Sequence, residues 1–175
     1  MRARATVRRV SLRPAAALLL ASASLALGVS PGLTAAQRAP AIVPGHSVLG
    51  VQLGATRAHL VKLLGAPRRV QINRAFGTPE TLLSYGGGGA RFGVRFVLVG
   101  GTVFQIVVHD PALRTARGAH VGSTLAAVSR AYPASRRVDG PAIRVGPASG
   151  PFTLFTALAG GTRVDGIIVA AALEP

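Results

Sequence analysis

Four histidines, at positions 46, 59, 109 and 120, are the side chains of this chain best suited to proton transfer or metal ligation, and no two of them stand at ligand spacing. His109 is followed by Asp110 and Pro111 at the end of an apolar run, where an imidazole beside a carboxylate can serve as a general base. The same tripeptide makes an ordinary turn. Hydrolysis would also need an activated nucleophile, yet Ser84, Ser123 and Ser129 carry no Gly-x-Ser-x-Gly context. Gly86 to Gly89 is not followed by the Lys-Ser/Thr pair of a phosphate loop. Glu80, Asp110, Asp139, Asp165 and Glu174 are scattered, each beside a glycine or a proline, and the chain has no cysteine. Lipid attachment through a thiol, disulfide stapling and thiolate metal sites are thereby excluded. The reading is a protein with no catalytic residue, no metal ligand set and no cofactor.

Arginine supplies the remaining chemistry. The formal charge is +15, and nineteen of the twenty basic residues are Arg. Arg68, Arg69, Arg74, Arg91 and Arg95 form one candidate basic patch, and Arg136 and Arg137 with Arg144 a second. Such clusters favour acidic partners: an acidic protein surface, an anionic envelope polymer or lipid head groups. Nucleic acid is not expected as the partner, because Trp is absent and the few Phe and Tyr residues are needed inside, leaving no stacking platform.

Five of those arginines belong to an export signal. Arg2, Arg4, Arg8, Arg9 and Arg13 make a basic n-region, Ala15 to Leu27 an apolar stretch, and Thr34-Ala35-Ala36 a small-residue cleavage site. The thirteen positions of that stretch fall short of the ~20 residues that cross a bilayer, so a cleaved signal is favoured over a permanent anchor. Arg8-Arg9-Val10-Ser11-Leu12-Arg13 is a partial match to a twin-arginine signal, with Ser11 where a large apolar residue is preferred. The division expected is a signal peptide over 1–36, a linker over 37–44, and two units over 45–111 and 112–175.

The two units follow from a duplicated pattern. Gly50-Val51-Gln52-Leu53-Gly54-Ala55-Thr56, then Leu60 and Leu64, becomes Gly118-Ala119-His120-Val121-Gly122-Ser123-Thr124, then Val128 and Tyr132, on a shift of 68 positions. Thr56 supplies a hydroxyl N-cap, Leu60, Val61, Leu63 and Leu64 recur at helical spacing, and Gly65 and Pro67 stop the helix. Thr124 or Ser123 caps the second helix, which Pro133 ends. Strands are expected at Leu82–Tyr85, Arg91–Val99 and Thr102–Val108, and again at Ala142–Val145, Phe152–Ala159 and Arg163–Ala171. Alternation sends Phe92, Val94, Phe96 and Leu98 to one face and Arg91 and Arg95 to the other. The fold class expected is α+β: two repeats, each a short helix on an antiparallel sheet, sharing one core.

Gly54-Ala55-Thr56-Arg57-Ala58-His59-Leu60 and Leu63-Leu64-Gly65-Ala66-Pro67 resemble the helix signature of the small outer-membrane assembly lipoproteins of the SmpA/BamE type, and Leu83-Ser84-Tyr85 falls where that family has an aromatic-x-Tyr strand. Two such units in tandem resemble the β-lactamase-inhibitor-protein arrangement. The resemblance implies a curved sheet surface that binds another protein and catalyses nothing. Together with the arginines it implies an exported binding protein of the cell envelope or extracellular space. Arg68, Arg69, Arg74, Arg91, Arg95 and Arg144 are its candidate contact residues; binding of an anionic polymer or membrane surface is the alternative, and a small hydrolase comes third.

Overall fold

A computed structural model describes residues 40–75, 78–87 and 93–172, all of them within one compact unit, Gln37–Pro175. The signal peptide, its cleavage site, Arg91, Phe92, Gly88, Gly89 and Glu174 lie outside the described residues.

Two-residue strands β1 (Ile42–Val43), β2 (Ser47–Val48) and β3 (Val51–Gln52) form a small antiparallel sheet. Ile42, within the segment read as a linker, is fully buried and donates its amide to Arg114 O. Helix α1 (Arg57–Leu64) follows, then strands β4 (Arg69–Ala75), β5 (Thr78–Tyr85), β6 (Val94–Val99) and β7 (Thr102–Val108). Helix α2 (Leu125–Ala131) precedes β8 (Arg136–Val138), β9 (Ala142–Val145), β10 (Phe152–Ala157) and β11 (Val164–Ala170). Strands β4 to β11 pair antiparallel in one sheet of eight, ordered β4-β5-β6-β7-β11-β10-β9-β8.

This overturns the expected fold class. The molecule is mainly β, and among the described residues it has two helices, of eight and seven residues. The halves do not carry separate sheets, because β7 pairs directly with β11, Val108 opposite Ile167 and Ile106 opposite Val169. Helices 8 residues long reach only ~12 Å, too little to form a layer over eight strands spaced ~4.8 Å apart.

The duplicated pattern survives as a local likeness of hydrogen bonding. Thr56 Oγ1 accepts from His59 N at 3.3 Å and Thr124 Oγ1 from Ala127 N at 3.1 Å, each satisfying an amide that a helix start leaves unpaired. Gly54 N donates to Val103 O and Gly122 N to Val164 O, both at 2.7 Å. Gly65 ends α1 at φ 80°, a conformation in which a Cβ would be strained.

One face of the large sheet carries the core. Leu83, Phe96, Ile106, Ile167, Phe155 and Ile143, from six consecutive strands, are buried against Leu60 of α1, Val128 of α2 and Ile42, Val48 and Val51 of the small sheet. The buried hydroxyl of Thr153 in β10 accepts the Gly45 amide at 2.8 Å, tying the small sheet to the large one. Leu64 and Tyr132, at the ends of the two motifs, pack half-buried against this core.

Candidate binding surface

The opposite face of the eight-stranded sheet carries side chains that follow from the strand registers; Leu82, Ser84, Val97 and Ala170 on it are buried, and Arg95, Val107, Ile168, Leu154 and Arg144 are half-buried. One cross-strand row runs Arg69, Ser84, Arg95, Val107, Ile168, Leu154, Arg144, Arg136, one residue from each strand in spatial order. The next row runs Gln71, Leu82, Val97, Gln105, Ala170, Phe152. At ~4.8 Å per strand the eight-residue row is ~34 Å long. Arginines occupy both ends, while Val107, Ile168 and Leu154 make an apolar middle, so that Arg95 and Arg144 stand four strands, or ~19 Å, apart.

Of the two inner arginines, Arg144 is held by contacts on both sides. Arg144 Nη2 donates to the carbonyls of Pro147 and Ala148, each at 3.0 Å, and its guanidinium lies 4.2 Å from the centre of the Phe152 ring. Stacking on an aromatic face and a pair of loop acceptors fix this side chain in one orientation. Its Nε is buried with no hydrogen-bond partner among the described residues. Arg95 is half-buried, and its pKa is lowered first by loss of solvent and second by the charge of Arg69. A guanidinium stays protonated through such a shift. The larger cause reflects burial of the side chain, and only the smaller one the neighbouring positive charge of Arg69.

The sequence candidates divide. Arg69, Arg95 and Arg144 share this face, and Arg136 joins them opposite Arg144. Arg68 and Arg74 do not. Arg74 is exposed and shares the pleat side of Val70 and Ile72, and Arg68 Nη1 donates to Gly87 O at 2.6 Å. Val107, Ile168 and Leu154 went unrecognised because β7 and β11 are apolar on both sides, and only the pairing of strands 60 residues apart assigns a face.

Two of the histidines, His109 and His120, hold local structure. His109 Nδ1 lies 2.8 Å from the backbone oxygen of Asp165, whose carboxylate instead accepts from Thr156 Oγ1 at 3.1 Å. His120 N donates to Ser123 Oγ at 3.1 Å, closing the turn before α2, and His120 Nδ1 also contacts Ser123 Oγ and Gly118 O, each at 2.9 Å. His46 and His59 are exposed. Among the described residues no three His, Asp or Glu side chains gather to hold a metal ion, and no helix is long and apolar enough to cross a membrane.

No protein-family model and no curated protein matches the chain. Among solved structures it is similar to an extracellular protein containing an SCP domain from Bacillus anthracis str. Ames, at 15% identity and a TM-score of 0.52, over 67% of this chain and 43% of that one. It is also similar to the uncharacterized protein yfeY from Escherichia coli, at 14% identity and a TM-score of 0.47, over 75% of this chain and 98% of that one. The chain thus spans less than half the length of the extracellular protein, and the likeness is one of fold alone.

Proposed function

We propose that this is an exported, non-enzymatic binding protein, released from a signal peptide near Ala36, whose partner is another protein of the envelope or extracellular space seated on the arginine-bearing sheet face. The observation that carries the reading is the row from Arg69 to Arg136, with cations at its ends and Val107, Ile168 and Leu154 between. A protein partner can match that pattern with an apolar centre and an acidic rim. A linear polyanion would meet ~19 Å of uncharged sheet between Arg95 and Arg144, longer than the ~8 Å over which charges act at physiological salt. The likeness of fold to an extracellular protein and the basic composition agree with the reading.

Crosslinking pull-down from the native envelope fraction tests it, with wild type beside the Arg95→Ala/Arg144→Ala variant at 0.15 M and 1 M salt. Charge-assisted hydrogen bonds contribute about 1.5–3 kcal/mol each, so the variant should bind at least ~100-fold more weakly. Wild-type capture of a protein should survive 1 M salt. Capture of an anionic polymer alone, lost at 1 M salt, would establish the polyanion instead; equal capture by variant and wild type would remove this face from the account.

A further inference from the structure

The large sheet ends in two unlike edges. Strand β8 is three residues long and begins with two arginines, Arg136 and Arg137, a short charged edge of the kind that discourages further strand pairing. Strand β4, at the other edge, runs seven residues, Arg69-Val70-Gln71-Ile72-Asn73-Arg74-Ala75, and pairs with β5 in unbroken register without a bulge. It contains no proline. Val70 is 46% exposed and Ile72 is 72% exposed, both on the side of the pleat away from the arginine row. Alternate backbone amides and carbonyls of an edge strand point away from its one neighbour, and here nothing among the described strands takes them.

We infer that β4 is a strand-addition site, and that its occupant is an extended acidic segment of a partner protein. The charge on the edge selects that occupant. Arg69 and Arg74 bracket an uncharged centre, Val70 to Asn73, on opposite sides of the pleat, and Arg68 adjoins them. Among the described residues the carboxylate on the neighbouring strand is Glu80, half-buried opposite Asn73. A second copy of this chain would bring its own cationic edge against this one, whereas a segment alternating apolar and acidic residues meets cations at both ends and Val70 and Ile72 in between. Backbone hydrogen bonds hold such a segment, and the arginines set its charge. This edge shares Arg69 with the arginine row, whereas Arg74 and the outward backbone groups of β4 belong to the edge alone, so the two sites are told apart by variants that spare Arg69.

A random octapeptide library selected on the full-length chain provides the test. Selected peptides should be rich in Asp and Glu alternating with apolar residues, and hydrogen exchange at the β4 amides should slow on binding. N-methylation of alternate amides along one peptide edge should weaken binding at least tenfold, a control that leaves the protein untouched. Arg69→Glu/Arg74→Glu should reverse the preference to basic peptides, while Arg95→Ala/Arg144→Ala should leave peptide binding unchanged. Recovery of no peptide, of peptides without acidic enrichment, or of peptides indifferent to N-methylation at both edges would overturn the inference. Dimerisation abolished by Ile72→Lys would overturn it too, in favour of a second copy.

Discussion

Leu60 is the one fully buried side chain of α1, at 0% exposure, while Leu63, three residues on in the same helix, is 50% exposed. Changing each to alanine compares burial with residue type and helix held constant. At Leu60 the change removes the apolar area that holds an eight-residue helix to the sheet, and it leaves a cavity beside Val51 and the core strands, for a cost of about 2–5 kcal/mol. At Leu63 about half of a leucine's burial, or ~1 kcal/mol, is lost, and the higher helix propensity of alanine returns a few tenths. A helix this short does not persist alone, so α1 depends on its packing to stay formed. Urea denaturation followed by circular dichroism reads the difference: with a slope of about 1–3 kcal/mol per M, the Leu60→Ala midpoint should fall by about 1–3 M at unchanged slope. The Leu63→Ala midpoint should fall by less than half as much. Equal shifts would show that α1 does not dock through Leu60 and would refute the packing described.

The two cap threonines should rank by exposure: Thr124→Ala, which breaks a half-buried bond of 3.1 Å, should cost about 1–2 kcal/mol, and Thr56→Ala, which breaks an exposed bond of 3.3 Å, about 0.5–1 kcal/mol, measured in the same denaturation assay. Tyr85 should make stability fall in alkali. Burial raises its pKa above the ordinary tyrosine value near 10, with a smaller opposing effect from Arg57, so the unfolded chain releases the phenolic proton first and stability is lost as pH rises beyond about 10. Tyr85→Phe should flatten that part of the pH–stability curve; a curve of unchanged slope would contradict the assignment.

Local signals in the chain were readable wherever a turn residue brackets an apolar run. Gly100 and Gly101 delimit β7 at Thr102–Val108, and Pro141 and Gly146 delimit β9 at Ala142–Val145, both with the bounds expected. Thr56, Gly65 and Thr124 marked the helix ends for reasons visible in three or four residues. Strand β4 escaped notice because Arg69–Ala75 buries no large apolar residue, so no alternation distinguishes it from a loop. Two-residue strands such as β1 leave no periodic trace at all. The register of β6 on β7 was hidden by the two apolar faces of β7 and by a shift between Val97 and Leu98, and a one-residue slip exchanges faces. Arg69, Arg95 and Arg144 were legible as cations. Their membership of one row was not, because it depends on β7 meeting β11 across 60 residues of chain.

The central claim is that the arginine-bearing sheet face is where a partner protein sits. A photo-crosslinking amino acid placed at Leu154, in the apolar middle of the row, tests it against one placed at Ala126, exposed on α2. Illumination in the native envelope should join the Leu154 probe to one protein species and leave the Ala126 probe unjoined, with the Leu154 product lost in the Arg95→Ala/Arg144→Ala background. A product at Ala126 with none at Leu154 would place the partner elsewhere on the molecule and contradict the account.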